Sequence, residues 1–307
     1  MGRSVVVLGG TGYLGRHIRT AFEAAGERVV TVARGPAADI RADLARAGVG
    51  EIRALLGDLA PDVVVNAAGA VWRTTPEAMA AANDALVTAL VEAVVGPAPG
   101  TRLVQLGTVH EYGPGVRPRA TPEVTPPQPV TPYGRTKLSA TQRVLAAVAD
   151  QGLDAVVLRI ANVSGPGAPE GSLLGSVAAR LAAGRRAGGG PVELRLAPLS
   201  AHRDYVDVRD VAAAVLAAAD ARLPAAQAGR VVNIGRGEAV AVRDLVERLV
   251  TASGVPARIV ESPPPTASDR TPPEWQCLDI SRARALLAWH PRYDLDASLR
   301  DQFASLR

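Results

Sequence analysis

The feature that most constrains the fold lies near the start of the chain, where an apolar run leads directly into closely spaced glycines. Residues 3–8 are typical of a buried parallel strand, and a helical pattern begins after the glycines. Glycines at this spacing allow a tight turn, a close approach of backbone to a pyrophosphate and close helix packing, and the helix N-terminus faces the phosphates. The segment therefore predicts a dinucleotide site formed by Gly9, Thr11, Gly12, Tyr13, Leu14 and Gly15.

Strand and helix patterns alternate as far as about Val163, which is the signature of a doubly wound parallel sheet. We therefore expect an α/β fold of the Rossmann type. Residues 1–163 are predicted to form the dinucleotide-binding domain, and residues 164–307 mainly a smaller substrate-binding lobe. A strand near 231–234 is expected to return to the main sheet, which makes the lobe discontinuous.

Four other segments have clear local patterns. The helical patterns at 78–95 and 138–149 carry broad apolar faces, which would cover the sheet or pair between subunits. The segments 178–191, rich in Gly and Arg, and 262–273, rich in Pro, are predicted to be loops over the substrate side.

The second strand, residues 28–33, ends at Arg34. An acid near this point usually holds the ribose 2′-hydroxyl of NAD, whereas an arginine accommodates a 2′-phosphate. NADP(H) is therefore favoured, and NAD(H) remains possible. Asp43, beside Leu44, is predicted to accept a hydrogen bond from the adenine amino group. Ala67, Ala68 and Gly69 follow the strand at 63–65, where small residues would let the backbone lie against the cofactor.

Lys137 is the only lysine among 34 basic residues, the others being arginines. The two side chains are not interchangeable where a compact ammonium must fit between small groups. Tyr133 lies four residues earlier, after a Thr-Pro helix start, so both side chains share one helix face. A nearby positive charge lowers the pKa of a phenol, which would let Tyr133 exchange a proton near neutral pH. An ordinary surface helix turn is the alternative for this pair.

Three further segments complete a pattern that resembles the extended short-chain dehydrogenase/reductases acting on nucleotide sugars. Thr108 stands four residues before a Tyr-Gly and 25 residues before Tyr133, as the family's catalytic Ser or Thr does. The resemblance also implies that Asn162 binds substrate or caps a turn, and that Arg203 and, with less similar flanks, Arg270 bind a diphosphate. The matching segments are Gly107-Thr108-Val109-His110-Glu111-Tyr112-Gly113, residues 158–167 and residues 202–210.

Residues 107–113 also indicate which of the reactions found in the similar family this chain could catalyse. Dehydratases have Thr-Asp-Glu where this chain has Thr108-Val109-His110, so dehydration is not expected. Glu111 is one place out of register and is expected to point to the other side of an extended segment. His110 is a candidate second proton donor, a substrate contact or a wall residue.

The resemblance implies NADPH-dependent reduction of an NDP-4-keto-6-deoxyhexose, as in deoxysugar biosynthesis. Tyr133 would donate the proton, Thr108 would bind the same oxygen, and Lys137 would lower the tyrosine pKa and hold the nicotinamide ribose. The alternatives are an NDP-sugar 4-epimerase with tightly bound NAD, and a non-catalytic nucleotide-sensing protein on a reductase fold.

Composition argues against several other classes of partner and site. A net charge of +4 without a basic run, and 3% aromatic residues, argue against a nucleic-acid partner. The single cysteine, Cys277, forms no intramolecular disulfide and no cysteine metal cluster, so we expect no metal site and a cytoplasmic location. We see no signal peptide and no apolar run of membrane-spanning length, so no membrane partner is expected. A homodimer is possible, because similar helices pair between subunits in the family.

Overall fold

A seven-stranded parallel sheet forms the centre of the protein in a computed structural model that describes residues 2–71, 74–95, 100–188, 190–262 and 274–306. Its central strands are buried runs rich in valine, as expected where helices cover both faces. In spatial order the strands are β10 (Val231–Ile234), β6 (Ala155–Ile160), β5 (Arg102–Thr108), β4 (Val63–Asn66), β1 (Ser4–Leu8), β2 (Arg28–Ala33) and β3 (Ile40–Arg41).

Helices cover both faces of this sheet, each over its own apolar core. One face is covered by α1 (Tyr13–Ala24), α7 (Val208–Asp220) and α9 (Ser281–Leu287). The other face is covered by α2 (Val49–Leu59), α4 (Leu86–Val94) and α5 (Pro132–Gln151), with α3 (Pro76–Ala80) and a π-helical turn, Ala81–Ala85, leading into α4. The predicted doubly wound fold is confirmed.

The remaining elements form a smaller lobe around a third apolar core. Its larger sheet contains β7 (Asn162–Ser164), β9 (His202–Asp207), β11 (Ala239–Ala241) and β13 (Trp275–Gln276), and a second sheet pairs β8 (Val192–Leu196) with β12 (Ala257–Glu261). Its helices are α6 (Leu173–Ala187), α8 (Val242–Ser253) and α10 (Leu295–Ala304). Because β10 belongs to the main sheet, the lobe is built from chain on both sides of it.

One predicted loop is a helix. The segment 178–191 was expected to be a loop, yet α6 continues to Ala187 and ends at Gly188, whose φ is 62°. Val177 and Leu181 lie four apart and are fully buried, so the apolar face outweighs the glycines. Gly184 serves packing, because a Cβ there would lie 2.1 Å from Val192 Cγ2.

The two apolar helical patterns are present with different bounds. The pattern at 78–95 becomes α3, the π-helical turn and α4 in succession, and the pattern at 138–149 is the later part of α5, which begins at Pro132. Of the loop predicted at 262–273, residues 263–273 lie outside the described residues, and so does Arg270. Within the described ranges, no helix has the length and apolar character needed to cross a membrane.

Candidate active site

The glycine turn joins β1 to α1 at the carboxyl edge of the sheet. Gly9 has a φ of 76°, and a Cβ there would lie 2.7 Å from the Ala68 backbone nitrogen. A Cβ on Gly15 would lie 2.2 Å from the Gly9 carbonyl oxygen, so the helix packs directly on the turn. Gly12 is the N-cap of α1 and brings no side chain to cap it, which leaves first-turn N–H groups for an anion. This cradle fits a pyrophosphate.

The other turn residues have distinct surroundings. Thr11 is partly buried, and Leu14 packs against the apolar core between the sheet and the helices α1, α7 and α9. The Tyr13 hydroxyl donates to the Gly165 carbonyl oxygen at 3.4 Å, and burial raises the pKa of this phenol. The Tyr13 side chain therefore ties α1 to the substrate lobe, and its backbone remains at the start of the helix.

The segment after β4 lies against the glycine turn. The Ala67 backbone nitrogen donates to Leu8 O at 2.9 Å, and Ala68 N donates to the Asn66 carboxamide oxygen at 3.2 Å. Gly69 is exposed, and a Cβ there would lie 2.9 Å from Asn83 Oδ1. Ala67 and Ala68 therefore lie with their backbone against the glycine turn, and Gly69 lies against Asn83.

The end of β2 lies beside the same turn. Arg34 is exposed and follows the buried Ala33, and a Cβ on Gly35 would lie 3.7 Å from Thr11 Oγ1. This contact places the Arg34 segment next to the glycine turn. Asp43 is exposed after β3, where its Oδ1 accepts from Ala45 N at 3.3 Å, while Leu44 is buried.

The predicted catalytic residues come from two neighbouring elements. Thr108 ends β5 and is only 6% exposed, while Tyr133 and Lys137 lie in the first turns of α5, which Thr131 caps by accepting from Gly134 N at 3.0 Å. The Thr108 hydroxyl lies close enough to the Tyr133 phenol to lower its pKa, and Lys137 Nζ donates to the carbonyl oxygen of Leu106, two residues before Thr108. The structure therefore brings a hydroxyl, a phenol and an ammonium together.

Burial, rather than the lysine charge, dominates the acidity of Tyr133. It raises the tyrosine pKa to about 12, the charge of Glu111 adds to this rise, and the hydrogen bond from Thr108 opposes it. Burial also lowers the pKa of Lys137 to about 8. The sequence analysis expected Lys137 to lower the tyrosine pKa, whereas in this structure desolvation of the phenolate is the largest cause and the pKa is raised.

His110 lies beside Tyr133, and the charge of Arg203 acts on His110. The His110 and Tyr133 rings meet edge to face with centroids 5.9 Å apart. Burial and the positive charge of Arg203 lower the histidine pKa to about 4, so the imidazole is neutral at pH 7. A neutral ring suits a substrate contact or a wall residue better than a second proton donor.

Two amides of the lobe lie beside Arg203. Asn162 donates to the Asp204 carbonyl oxygen at 3.1 Å and to Gln276 Oε1 at 3.4 Å. Gln276 pairs in register with Arg203 and is 1% exposed, and its Nε2 finds no acceptor within the described residues. Asn162 and Gln276 thus form a polar wall beside the buried guanidinium.

The position of Glu111 differs from the prediction. Residues Val109–Glu111 form a 3₁₀ turn rather than an extended strand, so the side chain turns back into the protein and is fully buried. Its Oε1 accepts from Thr108 N at 2.9 Å, and its Oε2 accepts from Arg159 Nε at 2.8 Å. The carboxylate therefore holds the backbone of Thr108, one of the predicted catalytic residues.

Sequence reasoning also missed Asn83, which lies in the π-helical turn. Asn83 Oδ1 accepts from Ala70 N and its Nδ2 donates to Ala70 O, both at 2.8 Å, and Nδ2 also donates to Thr136 Oγ1 at 3.2 Å. The amide therefore links the segment after β4 to the helix that carries Tyr133. A buried asparagine within an apolar helical pattern was the available signal.

Comparison with known proteins assigns the family. Residues 5–235 match the model of the NAD dependent epimerase/dehydratase family. The chain belongs to this family. The recognition made from the sequence motifs is thereby confirmed.

Relatives within the family include both dehydrogenases and epimerases. The chain is 44% identical over 306 residues to the dTDP-6-deoxy-L-talose 4-dehydrogenase (NAD(P)(+)) of Kitasatospora kifunensis, covering 97% of this chain and 93% of the relative. It is 29% identical over 332 residues to the UDP-glucose 4-epimerase of Azospirillum brasilense, covering 96% and 90%. The crystal structure of Thermotoga maritima UDP-glucose 4-epimerase with UDP-glucose has the same fold, with a TM-score of 0.85, 23% identity and 98% of both chains covered.

Proposed function

We propose that the protein is an NAD(P)-dependent oxidoreductase that reduces the 4-keto group of an NDP-4-keto-6-deoxyhexose to a hydroxyl. The observation that carries this proposal is the Tyr133 hydroxyl, held by Thr108 and kept protonated by burial, beside a dinucleotide cradle. Similarity at 44% to a dTDP-6-deoxy-L-talose 4-dehydrogenase supports the same carbon and the same substrate class.

Reduction at this site needs a hydride and a proton. A reduced nicotinamide, held by the glycine turn of residues 9–15 when bound, would supply the hydride for this reduction. Tyr133 donates its proton to the carbonyl oxygen as negative charge develops there, and Thr108 hydrogen-bonds the same oxygen. Both contacts strengthen as the charge forms, which is how a preorganised site lowers the barrier. The tyrosine pKa of about 12 keeps the donor protonated at neutral pH.

Lys137 is proposed to hold the nicotinamide ribose. An ammonium has three donors, and among the described residues Nζ donates only to Leu106 O. Two donors are therefore left for the ribose hydroxyls. Lys137 would lie between the Leu106 carbonyl oxygen and the ribose hydroxyls, a space that suits a compact ammonium better than a planar guanidinium.

The substrate diphosphate is proposed to bind Arg203, with Asn162 beside it. Arg203 is 8% exposed, and among the described residues Tyr205, rather than a carboxylate, is the titratable group that acts on it. Burial disfavours the charged form of this guanidinium and so lowers its pKa. The negative charge of a bound ligand would offset that cost of desolvation. Arg270 stays a prediction for the same phosphates.

We propose NADP(H) as the preferred nicotinamide, although family membership supports only NAD(P). The exposed Arg34 beside the glycine turn supports this preference, because an arginine at the end of the second strand accommodates a 2′-phosphate. Asp43 remains the predicted contact of the adenine. A cytoplasmic location and a homodimer through the helices of residues 78–95 and 138–149 also belong to this proposal.

The test offers NADPH with dTDP-, GDP- and UDP-linked 4-keto-6-deoxy sugars and follows the absorbance of reduced nicotinamide. A reductase consumes NADPH in proportion to product. A 4-epimerase, the second candidate, is favoured by the 29% identity to a UDP-glucose 4-epimerase. It would interconvert 4-hydroxy sugars with retained NAD and no net consumption. Binding of a sugar nucleotide without turnover of any of these compounds would support the sensing protein.

A further inference from the structure

Gln276 is a buried glutamine whose amide nitrogen has no acceptor. It lies on β13 and is 1% exposed, and its Nε2 has no hydrogen-bond partner within the described residues. A buried donor without an acceptor destabilises the folded protein, because the group has lost its water and gained no bond in return. A ligand that brings an acceptor to Nε2 would explain why a glutamine stands here.

The neighbouring asparagine fixes which end of the Gln276 amide is free. Asn162 Nδ2 donates to the Asp204 carbonyl oxygen at 3.1 Å, and because a carbonyl oxygen can only accept, this end of the asparagine must be its nitrogen. The same Nδ2 lies 3.4 Å from Gln276 Oε1, so the oxygen end of the glutamine must face it. Rotation of the glutamine amide by a half-turn would set two N–H groups against each other. Nε2 is therefore the end that remains available to a ligand.

The register of the lobe sheet places Gln276 beside Arg203. The two residues are Cα partners in the parallel pairing of β13 with β9, so their side chains leave the same face of the sheet from strands about 4.8 Å apart. Arg203 is 8% exposed, and its Nη1 donates to the His202 carbonyl oxygen at 2.9 Å. The other N–H groups of a buried guanidinium also need oxygen acceptors, preferably charged ones. A cation and an amide donor thus stand side by side.

We propose that Gln276 Nε2 donates a hydrogen bond to a phosphate oxygen of the sugar-nucleotide diphosphate, beside the guanidinium of Arg203. A phosphate group accepts from both donors at once through different oxygens and brings the negative charge that the buried arginine needs, whereas a sugar hydroxyl brings none. This inference rests on the proposed function for the class of substrate. It adds an uncharged phosphate ligand that the sequence motifs did not indicate.

Two substitutions of Gln276 separate ligand binding from folding. Gln276→Met keeps a similar length and removes the N–H that lacks a partner, so the thermal midpoint of the ligand-free protein should stay unchanged or rise. A glutamine needed for the fold would instead give a lowered midpoint. Gln276→Glu keeps an oxygen for Asn162 Nδ2 and replaces the donor by a negative charge, which repels a phosphate.

Calorimetric titration with dTDP, GDP and UDP measures the phosphate contact without any reaction. The protein is first saturated with NAD⁺ or NADP⁺, whichever binds more tightly, so that the glycine turn is occupied. The diphosphate with the lowest Kd then serves as the probe. We expect its Kd to rise about tenfold in Gln276→Met and about a hundredfold in Gln276→Glu.

Steady-state kinetics and a matched control complete the experiment. Because the contact is made equally before and during the reaction, Gln276→Met should raise KM for the sugar nucleotide about tenfold and leave kcat within about twofold. Gln142→Met makes the same exchange on the exposed side of α5 and should leave both the Kd of the probe and KM within about twofold.

An unchanged Kd for the probe in both folded variants would overturn the inference, and a rise in KM alone would then assign Gln276 to the sugar. A lowered thermal midpoint in Gln276→Met, or failure of both variants to fold, would assign Gln276 to the fold and also overturn it. The titration needs no turnover. The expected changes in Kd in a protein that reduces no keto sugar would therefore reject the proposed function and leave the phosphate contact standing.

Discussion

Replacement of Lys137 by arginine keeps the positive charge and changes its shape. Lys137 is 5% exposed, and its ammonium donates to Leu106 O behind Thr108. A guanidinium presents five N–H donors in a planar fork, and this space offers one carbonyl oxygen from the protein. Each buried donor left without a partner costs about 1–3 kcal/mol, so the fork must be displaced or β5 must move.

Either response misplaces the reacting groups. A displacement of about 1 Å near the chemistry costs roughly a hundredfold in rate. We therefore expect Lys137→Arg to lose between about tenfold and a hundredfold in kcat, and to lower the free energy of unfolding by about 1–3 kcal/mol. Steady-state NADPH oxidation with the keto sugar that the panel identifies, and urea denaturation, measure the two effects.

A matched control exists on the same helix. Arg135 is exposed, two residues before Lys137, and Arg135→Lys makes the reverse exchange in solvent. Its effect on the free energy of unfolding should stay within about 0.5 kcal/mol, as for other surface substitutions, and its kcat should be parental. If Lys137→Arg behaved like this control, the shape of the cation would not matter and the reasoning from burial would be refuted.

Three further results are expected. Tyr133→Phe keeps the ring and removes the proton donor, so kcat should fall by roughly a hundredfold to ten-thousandfold with cofactor binding retained, as measured by steady-state kinetics and NADPH titration. Arg34→Ala should erase most of a preference for NADPH over NADH of about one to two orders of magnitude, and equal kcat/KM for both cofactors in the parent would contradict the NADP(H) assignment. Because burial lowers the pKa of Lys137 to about 8, its charge is present below that pH and lost above it, so kcat/KM for reduction should decline as pH rises through about 8 while Tyr133 stays protonated. A profile that stays flat through this range would show that the charge of Lys137 is not required.

The parts of the site that the sequence predicted are those set by local spacing. Gly9 and Gly15 are needed wherever a strand turns sharply into a helix that packs on the turn, and the structure shows both close approaches. Tyr133 and Lys137 share a helix face because they lie four residues apart, and a Thr-Pro start fixes where that helix begins. Such features depend on few residues and leave clear patterns.

The sequence predictions were wrong or incomplete at positions whose conformation depends on tertiary contacts. Glu111 was assigned to an extended segment, but its pairing with Arg159, 48 residues later, accompanies a 3₁₀ turn that brings the side chain inward. Asn83 joins two segments that are distant in sequence, and Gly184 leaves room for Val192 rather than ending a helix. The Thr108-x-x-Glu111 capping box is a local pattern that the sequence offered, whereas the partners Arg159 and Thr136 lie far along the chain.

Burial also reverses the electrostatic argument that spacing alone suggests. In water a lysine four residues from a tyrosine stabilises the phenolate, but desolvation here penalises the charged forms of both Tyr133 and Lys137. The pKa of Tyr133 rises to about 12, and the pKa of Lys137 falls to about 8. Tyr133 therefore stays neutral near neutral pH, whereas Lys137 loses its charge as the pH rises through about 8. A tyrosine pKa of about 12 keeps the donor protonated at neutral pH, and it also makes the phenol a weaker acid than one with a lower pKa. For Lys137 the negative charge of Glu111, whose carboxylate pairs with Arg159, raises the pKa and so opposes the effect of burial.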